Sequence, residues 1–466
     1  MKPAKVAIVG FGTIGSGVAR LLLEHPERIA RRAARPVELV RVIDPDTKRE
    51  RNVDLPSGML SDDLDAMLAD PSITAVVQLI GGLEPARSIM LRILESGKDV
   101  ITANKALLAQ HGPELFEAAR GLERSIAFEA AVAGGVPIIA AISECLTANQ
   151  IDSIQAILNG TSNFILTEME QRGSSYEATV AEAQQRGYAE ADPTMDVDGS
   201  DAAQKLAILS HLAFGAKVDW RAIPRMGIQS VTADDMRYAR ELGYHIKLLA
   251  VAQDNHGELE LHVSPTLVRQ GTPLSEVSGA FNAIRVHGDA VGRLFFQGLG
   301  AGQMPTASAV VADLIDTVVG RMGITFKTLN LWSDAHHPPV PLRDPAAVPG
   351  RFYLRMNVED RPGVMSSIAG VLGEHGISIA SLIQHEAPQF VENSGTASAE
   401  TATAEKEAAA KQAATAEAAG QRHEGNIVPM VIMTHRATEG QLADAMKRLD
   451  TLSCVYPGTI RMRVRD

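Results

Sequence analysis

The sequence predicts an α/β protein: a doubly wound parallel sheet, then an α+β unit, then a shorter βαββαβ unit. Three observations carry this reading. A short apolar strand, Lys5–Val9, runs straight into a glycine-rich turn and a helix. Strand-like and helix-like periods then alternate to about residue 137, the pattern of βαβ units and a parallel sheet. Beyond about residue 350 apolar alternation returns in a new order, after a stretch rich in Pro, His and Asp.

Composition narrows the function. With 466 residues and 45% hydrophobic content the chain can form several domains around large cores. The net charge of −12, with no basic stripe, argues against nucleic acid as a partner. Cys145 and Cys454 stand far apart without metal-ligand spacing, so neither a disulfide framework nor a zinc site is expected. Cys145 is expected as a buried structural thiol. The start lacks a signal-peptide pattern and no apolar run reaches the length of a membrane span, so a cytoplasmic setting is expected.

The first unit is placed at residues 1–133. Its turn, Gly10-Phe11-Gly12-Thr13-Ile14-Gly15, fits GxGxxG between a strand and a helix. Gly10 allows the tight turn, Gly12 lets a pyrophosphate approach the backbone, and Gly15 permits close helix–strand packing. The helix start adds N–H donors for the anion. The second strand, Val37–Ile43, ends at Asp44, where an acid receives a ribose 2′-hydroxyl and favours NAD. Lys48, Arg49 and Arg51 follow and suit a 2′-phosphate, so NAD, NADP or both remain open. Thr74–Ile80 and Ser125–Ala131 read as further strands, and a strand from Asp99 delivers Asn104 and Lys105 at its carboxyl end.

Residues 134–302 form the second unit, with a helix at Ile138–Leu146 and a strand at Ile151–Leu158 ending in the polar loop 159–163. Strands are expected around Gly227–Val231, Ile246–Gln253, Leu259–Pro265, Asn282–His287, Ala290–Gly292 and Phe295–Leu299. Its acidic loop carries Glu190, Asp192, Asp196, Asp198 and Asp201 and leads into a helix with Lys205. Asp201 and Lys205, four apart, share a helix face, where a carboxylate can keep an ammonium charged or position it for proton transfer. Alone, this stretch reads first as a capped helix, with Asp198 or Ser200 as the cap. A glycine-rich turn ending at Gly302 precedes an apolar helix, 303–320, which is expected to return to the first unit. Residues 321–349 read as a linker and 350–466 as the third unit. An insertion at 388–424, rich in helix formers without an apolar stripe, reads as exposed and partly helical.

The run Ala183-x-x-x-Gly187-Tyr188-Ala189-Glu190-x-Asp192-Pro193-x-x-Asp196-Val197-x-Gly199-x-Asp201-x-x-x-Lys205 resembles the signature of homoserine dehydrogenases. So do the Gly10–Gly17 loop, the Thr102–Lys105 strand end and the turn Ala301–Thr306. The resemblance covers the chain to about Val319 and implies NAD(P)-dependent interconversion of L-aspartate 4-semialdehyde and L-homoserine. It implies a Rossmann-type dinucleotide-binding domain and an α+β catalytic and dimerisation domain. Lys205 matches the proton donor, and Glu190 and Asp201, with Asp196 close by, match substrate-holding positions. Lys105 matches a lysine near substrate and nicotinamide, and Gly187 and Gly302 match cofactor-lining positions. A sodium ion is implied at Glu129, Val132, Gly134 and Val136, mostly through backbone carbonyls. The third unit, with Asp360-Arg361-Pro362-Gly363, resembles an ACT domain, implying a homo-oligomer (dimer or tetramer) and threonine as effector.

Two other readings remain at this point: an acylating dehydrogenase with Cys145 as nucleophile, and a non-catalytic sensor of cofactor and amino acid.

Overall fold

The computed structural model describes residues 2–333, 340–385 and 427–466. The chain divides into two compact units, Met1–Val348 with Met462–Asp466, and Pro349–Arg461. The insertion expected at 388–424 lies entirely outside the described residues.

In the first unit, β1 (Ala4–Val9), β2 (Val37–Ile43), β3 (Leu60–Ser61), β4 (Ile73–Gln78), β5 (Asp99–Thr102) and β6 (Ile126–Ala127) form a sheet of order β3-β2-β1-β4-β5-β6. Every neighbouring pair is parallel. Strands of such a sheet are covered on both faces, so β1 is apolar and almost wholly buried rather than alternating. The chain moves outward from β1 to β2 and β3, then crosses back to β4 on the other side of β1. That reversal opens a crevice at the carboxyl edge of the sheet. Helix Gln303–Val319 packs on helix Thr13–Glu24, with Gln303 Nε2 donating to Thr13 O and to Ser16 Oγ, both at 3.0 Å.

A second sheet of this unit runs β11 (Gly292–Leu299), β10 (Phe281–Gly288), β7 (Ile151–Ile157), β8 (Tyr244–Asn255), β9 (Glu258–Arg269), each pair antiparallel. Helix Ser200–Phe214 buries Ala202, Ala203, Leu206, Ile208, Leu209 and His211. A helix buried on nearly all sides lies inside the protein rather than on its surface. Its burial carries Asp201 and Lys205 into the interior.

Several sequence expectations are corrected. Residues 227–231 form a turn, because Gly227 lies hard against the backbone of Val197 and Asp198. Residues 289–291 are the turn between β10 and β11. Helix Ile138–Ala140 passes into a π-helical turn, Ala141–Cys145, and Cys145 is exposed rather than buried. Part of the stretch read as linker is a helix, Arg321–Leu329, that buries Phe326.

The second unit holds β12 (Pro349–Glu359), β13 (Ile379–Gln384) and β14 (Ile427–Thr434) in the antiparallel order β12-β14-β13. Helices Val364–Glu374 and Glu439–Leu449 cover it around a core that includes Phe352, Ile368, Ile432 and Leu442. Arg463–Arg465, expected in the third unit, belongs to the first, where it pairs in parallel with Thr266–Val268 of β9.

Candidate functional site

The carboxyl edge of the parallel sheet presents the glycine turn. Gly10 has φ +97°, and a Cβ there would meet Leu79 C at 2.9 Å. A Cβ on Gly15 would stand 2.1 Å from Gly10 O, so the turn closes directly onto the helix. A Cβ on Gly12 would meet nothing within 4 Å, and the first-turn amides of helix Thr13–Glu24 lie beside it. An oxyanion fits an arrangement of open backbone at a helix start.

Asp44 lies at the end of β2 and is engaged within the protein on both oxygens. Its Oδ2 accepts from Phe11 N at 2.6 Å and its Oδ1 from Asp46 N at 2.9 Å. Arg51 Nη2 reaches Oδ1 at 3.0 Å, Arg51 Nε donates to Phe11 O at 2.6 Å, and the guanidinium lies over the Phe11 ring. Both Arg51 and Asp44 are largely buried in this pair.

At β5 the strand end becomes a helix start. Asn104 caps helix Lys105–Gly121 by accepting from Leu107 N, and its Nδ2 donates to Ile80 O and Gly82 O. This fixes Lys105, whose Nζ lies 2.9 Å from Asp201 Oδ1. Lys205 Nζ donates to Asp201 Oδ2 and to Leu158 O, both at 2.7 Å. Asn159 Nδ2 donates to Asp201 Oδ2 at 2.9 Å and to Asp196 Oδ1 at 2.7 Å. Thus Asp201, with 4% of its surface exposed, is bonded on both oxygens. The helix begins differently from the capping expected: Gly199, at φ +86°, is its N-cap, and Asp198 accepts from Ser200 N.

Charge sets the acidities here. Burial alone would raise the Asp201 carboxyl, but Lys205 and Lys105 outweigh it and hold it well below the usual carboxylate range. Burial pushes the Lys205 ammonium below the ordinary lysine value. Asp201 opposes that shift and the charge of Lys105 adds to it. Asp201 raises Lys105. Burial and the neighbouring Asp201 raise Asp196, against the Asn159 hydrogen bond. An ammonium with lowered pKa, held by a carboxylate and a carbonyl, is suited to give a proton to a developing alkoxide.

The structure brings Lys105, Asp196, Asp201 and Lys205 together. Glu190 is exposed, its side chain makes no hydrogen bond or ion pair among the described residues, and it acts on Lys105 through its charge. Its loop is held by Gln184 Nε2 donating to Glu190 O and by Tyr188 packing on Phe164. Gly187 and Gly302 are at positive φ, one after helix Tyr176–Gln185 and one as the N-cap of helix Gln303–Val319. Asn159 is the site residue that sequence reasoning missed. Its signal was the polar run directly after a strand, which could not say where Asn159 points.

Glu129 opens a short turn, Glu129–Ala131, after β6. Its carboxylate accepts from Ile139 N at 2.9 Å and Ala140 N at 2.7 Å, and its own N–H donates to Asp313 Oδ2 at 2.8 Å. Among the described residues no group of three or more His, Cys, Asp or Glu is placed to hold a metal ion. None of the helices searched is long and apolar enough to cross a membrane.

Comparison with known proteins agrees with this geometry. The profile "Homoserine dehydrogenase, NAD binding domain" matches residues 10–129, "Homoserine dehydrogenase" matches 137–315, and "ACT domain" matches 352–406. The homoserine dehydrogenase of Pseudomonas aeruginosa is 40% identical over 473 residues, covering 100% of both chains. The crystal structure of a homoserine dehydrogenase from Thiobacillus denitrificans superposes with a TM-score of 0.85 at 38% identity, covering 100% of this chain and 99% of that one. A hyperthermophilic archaeal homoserine dehydrogenase in complex with NADPH gives a TM-score of 0.55 at 25% identity, covering 68% of this chain and 97% of its own. The chain therefore belongs to the homoserine dehydrogenase family: it is an oxidoreductase with a nicotinamide dinucleotide-binding domain and an ACT domain.

Proposed function

We propose that Lys205 is the proton donor when L-aspartate 4-semialdehyde is reduced to L-homoserine, and the proton acceptor in the reverse direction. The observation that carries this is the pair of 2.7 Å contacts from Lys205 Nζ to Asp201 and Leu158 O in a buried site. When bound, the nicotinamide supplies or takes the hydride at the carbonyl carbon. Lys205 meets the oxygen, and Leu158 O and Asp201 aim it. Because both Asp201 oxygens are bonded within the protein, Asp201 holds and tunes the lysines. Asp196 and the exposed Glu190 then take the substrate ammonium, and Lys105 faces the substrate carboxylate.

The Asp44–Arg51 pair supports dual use of NADP and NAD. A neutralised acid no longer selects against a 2′-phosphate, and Lys48 and Arg49 stand nearby in sequence to receive one. For sodium, the carbonyls of Glu129, Val132, Gly134 and Val136 are hard oxygen donors of the right type. The Glu129 carboxylate is committed to the Ile139 and Ala140 amides, so the main chain would be the ligand. The ACT domain supports a small amino acid, threonine, as effector. A cytoplasmic homo-oligomer completes the proposal.

The test is Lys205→Ala. A kcat lower by a factor of about 100 or more is expected, the scale of a lost general acid, with dinucleotide binding followed by nicotinamide fluorescence intact. An unimpaired kcat would remove the role.

A further inference from the structure

The Lys105–Asp201 contact joins two separate helices at their starts: Lys105 opens helix Lys105–Gly121, and Asp201 lies in the first turn of helix Ser200–Phe214. A long, half-exposed lysine side chain tolerates a range of helix separations, so the contact does not by itself fix the spacing. The two helices pack directly on each other, and farther from the site a further side chain touches both.

That side chain is Trp332. A Cβ on Gly112 would stand 2.9 Å from its indole Cε2 and 3.0 Å from Cζ2, so only glycine leaves room for the ring on the first helix. Gly112 is seven residues past Lys105, roughly 10 Å along the helix. The indole also stacks on His211 of the second helix, with ring centroids 4.3 Å apart and an 18° interplanar angle. Trp332 N donates to His211 Nε2 at 2.6 Å. Phe116, again on the first helix, lies 4.5 Å away ring to ring. Trp332 sits at φ +57°, two residues after Asn330 at φ +52°. For a bulky side chain this conformation is strained and persists only where the surroundings impose it. Arg120 Nη1, from the same first helix, donates to Leu331 O at 2.6 Å and ties the segment down.

We propose that Trp332 is a positioning residue: in contact with both helices, it holds the separation across which Lys105 meets Asp201. This rests on the assignment of Lys205 as proton donor. Asp201 and Lys205 share one helix, so a tilt between the helices moves Lys105 relative to both, and displacements of an ångström at a reacting centre cost up to about 100-fold in rate.

Trp332→Ala, Trp332→Phe, Gly112→Ala and Lys205→Ala are compared in the full chain, measuring thermal midpoints, Michaelis constants and kcat for homoserine oxidation against pH. Trp332→Ala is expected to lower kcat about 10- to 100-fold and to move the pH limb by about half a unit or more as charge separations change. The dinucleotide KM should stay within about 2-fold, since the cofactor contacts are untouched. Trp332→Phe, which keeps a ring in contact with the helices, should restore most of both. Gly112→Ala, which drives a methyl into the indole, should shift the limb even where the alanine variant of Trp332 does not fold. Rate losses that follow only the folded fraction, with the limb unmoved in Gly112→Ala and Trp332→Phe no better than Trp332→Ala, would overturn the proposal. Loss of the limb in Lys205→Ala with no shift in the Trp332 and Gly112 variants would overturn the positioning role alone. A limb that persists in Lys205→Ala would instead overturn the proton-donor assignment.

Discussion

Removing the charge of Lys105 should make Lys205 a weaker acid by an amount that can be read from a pH profile. The two lysines hold opposite oxygens of Asp201, at 2.9 and 2.7 Å. Ammonium groups so placed are roughly 5 Å apart, and at an effective dielectric constant of ~20 they repel by about 3 kcal/mol. Lys105 is 40% exposed, and solvent screening brings this to about half, or about one pH unit. With Lys205 as the proposed acceptor in homoserine oxidation, it must be neutral to take the alcohol proton, so kcat should rise with pH through the Lys205 pKa. Burial already places that limb below the ordinary lysine range. Lys105→Met should therefore move it up by about one unit. Asp201→Asn, which removes the charge that keeps the ammonium protonated, should move it down. The assay is steady-state kcat with both substrates saturating, from roughly pH 6 to 11. A limb unmoved in Lys105→Met, or moved in the same direction by both substitutions, would refute the electrostatic argument.

Three further outcomes are expected. Arg51→Leu frees Asp44 for a ribose hydroxyl and should shift the NADP-to-NAD ratio of kcat/KM toward NAD by about 10-fold; an unchanged ratio in paired assays would deny the pair a part in cofactor choice. Lys247 is buried, donates only to Val277 O among the described residues, and is pushed down to about 8 by desolvation. The unfolded chain binds that proton up to about pH 10.4, so stability should rise with pH between those values, and the penalty below them is about 3 kcal/mol. Lys247→Met should gain about 1–2 kcal/mol at pH 7 after the lost hydrogen bond, and nothing near pH 10.5, in thermal melts. A melt lowered at pH 7 would contradict this. Finally, Arg463 and Arg465 face the buried Glu260, whose carboxyl is held low by His262 and both arginines despite burial. Replacing both by Met should cost about 2–4 kcal/mol at neutral pH. The loss should fade as acid protonates Glu260, below the usual carboxylate range; a pH-independent loss would point to packing instead.

The glycine turn, the alternation of β1 to β6 with helices, and the Asp201–Lys205 spacing were legible because each depends on residues close in sequence. A helix places residues four apart on one face whatever surrounds it, and Gly10 and Gly15 answer to a turn only a few residues long. The long acidic signature likewise carried the family resemblance without any knowledge of contacts. Other features depend on adjacency that no local period encodes. Asn159 reaches Asp196 and Asp201 only because β7 ends beside the start of helix Ser200–Phe214. Asp44 reads as a ribose acceptor until Arg51 folds back onto it. Cys145 sits in a run that looks buried, yet a π-helical turn carries it to the surface.

By itself, then, the sequence determined the parallel dinucleotide-binding sheet with its glycine turn and the shared helix face of Asp201 and Lys205, since these follow from local steric and periodic rules. Tertiary structure alone decided that Asp201 is shared by two lysines, that Trp332 contacts both helices carrying them, and that Arg463–Arg465 pairs with β9. Those are contacts between segments distant in sequence. They are selected by burial, which turns each unpaired charge or void into a cost that the folded arrangement must satisfy.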